Sequence, residues 1–250
     1  GEWENFLTLL AKYRTREPLN GIIVAIAADR LREAGEGVLA DEGQSVRRRI
    51  DQLMRILGAK IPVYVLVTKI DLIPGMLEFS NLLPRGDRTQ AMGYVNADLD
   101  SGWERVLADS LGAVSSRLRD LQFAIVHQGD MPEPEVFLFP QGFERLRTGL
   151  TYFVRAVFSS NPYQATSPLR GVFFSSALQE GKAEPEFTGL LDTEKEGAKE
   201  VVHTTGLFLT DLFRSILPRD RNLFVPLPEF IRARGKGRPV GLAAWVALWL

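Results

Sequence analysis

Two short apolar runs constrain this chain more than any other feature. They are Gly21-Ile22-Ile23-Val24-Ala25-Ile26-Ala27-Ala28 and Pro62-Val63-Tyr64-Val65-Leu66-Val67. Each is nearly continuous, rich in β-branched residues and too short for a core helix. A strand with one wet face alternates polar and apolar residues. These do not, so both of their faces are predicted to be buried. Between them, residues 45–57 set Val46, Ile50, Leu53, Met54 and Leu57 at helical spacing among basic residues, with Gly58 as the stop. Strand, surface helix, strand predicts a parallel sheet with helices across its faces. Leu169-Arg170-Gly171-Val172-Phe173-Phe174 predicts a third buried strand.

The rest reads mainly as helix and loop. Residues 3–13, 104–123, 143–158 and 207–217 carry apolar positions at spacings of three and four. Residues 128–140, with Pro132, Pro134 and Pro140, read as a loop, and residues 182–199 as an exposed or disordered one. Arg85, Arg88 and Gln90 read as a polar turn. A length of 250 residues suits one large α/β domain, or one with a helical insert. The net charge of −1 gives no basic surface for nucleic acid. The absence of cysteine excludes a disulfide scaffold, a thiolate zinc site and a cysteine nucleophile. The first ten residues lack a signal-peptide pattern and are already at helical spacing, as expected of an excerpt from something longer.

The end of the chain changes character. Arg232, Arg234, Lys236 and Arg238 precede residues 239–250, which hold no charge and include Trp245 and Trp249. A spanning helix needs about 20 apolar residues. Two readings fit this run: the opening of a transmembrane helix with the preceding chain in the cytoplasm, or a buried terminal helix with a solvated basic face.

Thr68-Lys69-Ile70-Asp71 follows the second strand. GTPases read guanine with [N/T]-K-x-D in this setting. A carboxylate accepts hydrogen bonds from both N1–H and the exocyclic N2–H of guanine, a donor pair that adenine lacks. The lysine stem can lie along the base while its ammonium stays wet. The carboxyl ends of the strands are also where open α/β sheets bind ligands. The same four residues fit a strand end whose Asp71 caps the next turn. Ser175-Ser176-Ala177 follows the third strand, and Ser176-Ala177-Leu178 has the form of the S-A-[K/L] turn whose backbone N–H groups reach the base oxygen in GTPases. Strand with T-K-x-D, helical insert, strand with S-A-L is the order of the second half of a GTPase domain.

The first half has no counterpart. The chain contains no G-x-x-x-x-G-K-[S/T], the loop that cradles phosphates and places the magnesium hydroxyl. Tight nucleotide binding or hydrolysis by this chain alone is therefore not expected. His127 and His203 are its two histidines, and nothing sets them beside a serine or a carboxylate pair, so no catalytic or metal-binding residue is assigned. Arg47-Arg48-Arg49 reads as a solvated helix face and Glu180 as turn chemistry.

Several motifs together resemble the TssM/IcmF family of type VI secretion systems. Pro18-Leu19-Asn20-Gly21 is similar to the family's P-[I/L]-N-G. The run from Pro62 to Leu72 is similar to P-V-Y-V-x-x-T-K-x-D-L. Leu169 to Ser176 with Gln179-Glu180-Gly181 resembles L-R-G-V-Y-F-T-S-G-T-Q-E-G. Phe139-Pro140, Leu212-Phe213 and Pro218 follow in the family's order. The sequence departs from the pattern at Ser176-Ala177-Leu178, where S-G-T is usual, and at Met92-Gly93, where an aromatic residue commonly precedes glycine.

The resemblance implies a three-layer α/β fold with a parallel sheet, the second half of a P-loop GTPase-like domain. Residues 1–205 would form it, with a helical insert at about 100–160. A C-terminal helical extension at 206–235 and the start of a transmembrane helix at 239–250 would follow. It implies an inner-membrane anchor with this part on the cytoplasmic face, which scaffolds the membrane complex with TssL and TssJ, docks the baseplate and works as a homo-oligomer. The alternative is a GTPase or ATPase switch driving assembly or secretion. GTP or ATP with magnesium would belong to the complete domain, with Thr68, Lys69, Asp71, Ser175, Ser176 and Ala177 on the base side. No cofactor is expected for this stretch alone.

Overall fold

The computed structural model describes residues 2–13, 19–127, 133–159, 165–177, 206–220, 223 and 225–226. In chain order the main elements are α1 (Glu2–Tyr13), β1 (Ile22–Ala27), α2 (Ala28–Glu33), α3 (Glu36–Leu57), β2 (Ala59–Lys60), β3 (Val63–Thr68), α4 (Met76–Leu82), α5 (Arg85–Thr89), β4 (Met92–Val95), α6 (Trp103–His127), α7 (Leu138–Glu144), α8 (Leu146–Phe158), β5 (Leu169–Phe174), α9 (Leu217–Arg219) and β6 (Val225–Pro226). The architecture is mixed α/β. The three predicted strands are consecutive neighbours in a four-stranded sheet of order β1-β3-β5-β4, with β3 and β5 at its centre and β1 at one edge.

β1, β3 and β5 are parallel, as the strand–helix–strand pattern requires. The sheet is not wholly parallel. β4, in a stretch with no strand signal, pairs antiparallel to β5 and closes one edge. Gly93 lets β4 approach closely: a Cβ there would lie 2.4 Å from the Val172 carbonyl oxygen, so a side chain would push β4 off its neighbour. A second, two-stranded ribbon pairs β2 with β6.

The two faces of the sheet are covered unequally. Val63, Val65 and Val67 of β3 join Val24, Ile26, Val172 and Phe174 in a large core under α3, α6, α7 and α8. The opposite side chains, Tyr64, Leu66 and Phe173, meet a small cluster around Leu212, with Leu209, Ile216 and Leu217 packed against it. This second layer is a strap, residues 206–220, with a single short helical stretch at 210–219. The helix predicted for 207–217 starts later than its spacing suggests: a bridge at Leu207 and a left-handed Phe208 precede the helical stretch, whose turns are widened at Leu212–Ile216. The strap does not cover β1, whose Ile23 is 39% exposed.

α3 is longer than the periodicity of 45–57 suggested, because Gly37 and Gly43 obscure its first turns. Gly43 is needed for packing. A Cβ there would sit 2.6 Å from Ala156 Cβ and 2.8 Å from the Phe153 carbonyl, so its absence lets α3 and α8 close on each other. The turn read at Arg85 to Gln90 is the short α5, and Pro140 lies inside α7.

β5 is irregular near its start. Val63 faces Leu169 but Tyr64 faces Gly171, so Arg170 has no opposite number on β3. A bulge of this kind re-aims a side chain. The Arg170 guanidinium turns to Asp220 at the end of the strap, which also accepts a 2.5 Å hydrogen bond from the Tyr64 hydroxyl. Leu178, Glu180, His203, the 182–199 loop, the basic cluster and residues 239–250 lie outside the described residues, of which no helix is long and apolar enough to cross a membrane.

Candidate functional site at the strand ends

Parallel register brings the predicted site residues to one edge. Ala27 lies opposite Thr68, and Val67 opposite Phe174, so all three strands end together. Thr68, Lys69 and Asp71 leave β3 beside Ser175, Ser176 and Ala177 leaving β5. The Ser175 N–H donates to the Val67 carbonyl at 2.8 Å, and the Ile70 N–H donates to the Ser175 carbonyl at 3.3 Å. Two motifs 104 positions apart (Asp71 to Ser175) are thereby stitched together by backbone bonds.

The turn after β3 is tight. Lys69 has φ 56°, in the left-handed region that residues other than glycine rarely adopt. This reversal starts the short helical turn Ile70–Leu72 and sets Asp71 over the edge. The Leu72 N–H closes the turn on the Lys69 carbonyl at 3.1 Å, and Arg32 of α2 ties it from outside, Nη1 to the Leu72 carbonyl at 3.2 Å.

Asp71 is half-buried, and the Ser176 hydroxyl donates to its Oδ1. Ser176 is fully buried, so this bond fixes the carboxylate plane and leaves Oδ2 as a directed acceptor. The Ala177 carbonyl lies 3.2 Å from the same hydroxyl, which has one proton; the charged acceptor is the nearer and stronger. Ala177, the last described residue after β5, is exposed. Ser175, 1% exposed, contributes its backbone. The Thr68 hydroxyl reaches the Ile26 carbonyl at 3.4 Å, a weak link between strands. Lys69 Nζ lies 3.7 Å from Asp29 Oδ2 in a solvated pair, so its ammonium is free to move to a ligand.

Asp29, Arg32 and Leu207 were not anticipated. Asp29 sits two residues past the end of β1, so the parallel register that places Thr68 at this edge could have placed it there too. Leu207 carries no sequence signal; it exchanges two backbone bonds with Ser176, 2.8 Å and 3.3 Å. Among the described residues no group of three acidic or histidine side chains could hold a metal ion.

The sequence matches the family described as the IcmF-related N-terminal domain over residues 1–245. The chain belongs to the TssM/IcmF family. This IcmF-related chain is 32% identical, across 258 aligned positions, to the type VI secretion system component TssM1 of Pseudomonas aeruginosa. That alignment covers 98% of this chain but 23% of TssM1, so the IcmF-related chain spans about a quarter of the length of its relative. No solved structure matches it.

Proposed function

We propose that this chain is the base-recognition half of a GTPase-like domain, used as a cytoplasmic scaffold by an inner-membrane subunit of a type VI secretion system. The secretion role rests on the family and on TssM1. The GTPase-like part rests on one geometric observation: Asp71, oriented by Ser176, stands at the carboxyl edge of parallel strands, next to the exposed Ala177. An aspartate acceptor and a backbone donor side by side match the donor and acceptor edge of guanine. A free sheet edge supports the same reading. Among the described residues β1 has a hydrogen-bonded neighbour only on the β3 side, and its outer face leaves Ile23 and Ala25 exposed. A run as apolar as Ile22–Ala27 fits a sheet that continues past β1, where the phosphate-binding half of such a domain would add its strands.

In this reading the helices at 103–158 and the segment after residue 206 face partner subunits: the membrane-complex proteins TssL and TssJ, the baseplate and further copies of the chain. Residues 239–250 open a membrane helix. Scaffolding and a hydrolytic switch are separated by the phosphate-binding half of the complete domain, which either carries an intact G-x-x-x-x-G-K-[S/T] or does not.

The test is titration calorimetry of GTP and ATP with magnesium into a protein extended upstream of Gly1 to the whole domain, with Asp71→Asn in parallel. No heat from a folded extended domain is the scaffold result. GTP binding that Asp71→Asn abolishes establishes a nucleotide switch in place of the scaffold.

A further inference from the structure

β5 is clasped at both ends by the strap. Ser176, two residues beyond its last residue, exchanges two backbone bonds with Leu207. Arg170, its second residue, holds Asp220 through two guanidinium bonds, 2.7 Å and 2.8 Å. Between the clasps, Leu209, Leu212, Ile216 and Leu217 lie on Tyr64, Leu66 and Phe173.

The strap is held under local strain. Phe208 has φ 63°, which an aromatic residue adopts only when its surroundings impose it. Its N–H donates to the Arg88 carbonyl at 2.8 Å, and its side chain, 7% exposed, helps to line a cavity of about 170 Å³ with Phe79, Leu83, Val114 and Phe139. The following turns are widened over Leu212–Ile216, a geometry that interrupts ordinary helix bonding. A strained anchor, a short apolar contact and two polar clasps hold the strap on the sheet, and its first clasp grips the residue that orients Asp71.

We propose that residues 206–220 are a releasable strap that couples the Asp71–Ser176 edge to the Asp220 clasp at the opposite end of the sheet. Opening the Arg170–Asp220 clasp frees the strap along its length. Ser176 then loses its backbone partners and Asp71 its fixed orientation. By reciprocity, a ligand that needs Asp71 oriented closes the far clasp. The coupling stands without a ligand; only the identity of that ligand rests on the proposed function.

The experiment is amide hydrogen–deuterium exchange on the full chain, comparing wild type with the isosteric Asp220→Asn and, as a second lesion at the same clasp, Arg170→Lys. Amides at Val65 and in α8 report that each variant stays folded. Coupling requires exchange to rise at least about fivefold at the distant Ser176 and Leu207 amides together with the 209–217 stretch. Acceleration confined to residues 217–220 in both variants overturns the proposal. Guanine nucleotide titrated into the upstream-extended protein separates the two readings. Distant exchange changes without nucleotide binding sustain the strap and remove guanine as its ligand. Nucleotide binding with only local exchange changes sustains the base site and removes the strap.

Discussion

Arg170 meets Asp220 as a fork, Nε to Oδ2 at 2.7 Å and Nη2 to Oδ1 at 2.8 Å, with both side chains almost out of water. A bidentate pair of this geometry is weak as net stability but costly to break, because removing one partner leaves the other charge buried alone. Arg170→Met is expected to lower unfolding stability by about 3 kcal/mol, whereas Arg170→Met with Asp220→Leu recovers most of that loss. Urea denaturation of the two single variants and the double variant checks it. A double variant as unstable as the sum of the singles would mean the pair is not coupled.

The same cluster sets a pH dependence at both extremes. Burial pushes the Asp220 carboxyl up, but hydrogen bonds from Arg170 and Tyr64 outweigh it and hold the group below the ordinary carboxylate range. A carboxyl depressed in the folded state stabilises above its unfolded value, near pH 4, and that contribution disappears as pH falls through the folded value. Burial, then the bond to Asp220, pushes the Tyr64 phenol up. Its contribution is intact below about pH 10 and is lost as pH climbs beyond it. Stability measured against pH should therefore have a shallower acid limb in Asp220→Asn and a shallower alkaline limb in Tyr64→Phe. Parallel wild-type and variant curves at both ends would remove this assignment.

How much of this was legible in the sequence depends on what each element needs. β3 and β5 were readable because a strand buried on both faces must be apolar throughout, and few other elements are; β1 has the same composition, but its second face, with Ile23 and Ala25, is exposed, so the expectation of two buried faces fails there. The meeting of Asp71 with Ser176 followed from parallel register alone, since parallel strands end at one edge. β4 was not readable: four residues holding a glycine give no alternation, and its pairing depends on how close β5 lies. The spacing of Leu209, Leu212, Ile216 and Leu217 marked the helical part of the strap, while the bridge to Ser176 imposes a different backbone on Leu207 and the two residues after it. Arg170 looked like a polar interruption of an apolar run. Its role emerges only from the bulge, a property of two strands together.

Lys69 offers a test of where the turn stores strain. In the left-handed region a side chain costs about 1 kcal/mol or more, and β-branching costs most. Lys69→Gly is expected to change stability by less than about 1 kcal/mol, because relief of strain is offset by a freer unfolded chain. Lys69→Val is expected to cost about 1–2 kcal/mol through strain at the same backbone angle. Urea midpoints that ranked valine above glycine would show that the turn relaxes out of this conformation.

The insert is joined to the sheet by aromatic contacts, and that joint should carry a large share of the stability of the central strands. Phe143 of α7 packs edge-on against Phe174, ring centroids 4.7 Å apart, and Phe139 continues the contact to Phe79 at 5.3 Å. Phe143 is wholly buried, and its partner Phe174 is the last residue of β5, one step before Ser175. Truncation leaves a cavity that packed neighbours cannot fill, so Phe143→Ala is expected to cost about 3–5 kcal/mol and Phe143→Leu far less. Edge-to-face geometry adds its own coupling. In a double-mutant cycle with Phe174→Leu, the pair should show a coupling energy of about 0.5–1.5 kcal/mol. Thermal and urea unfolding provide both readings. A cost for Phe143→Ala near that of an exposed site would mean the insert moves independently of the sheet, and α7 could then not help to hold the β5 end that presents Ser176 to Asp71.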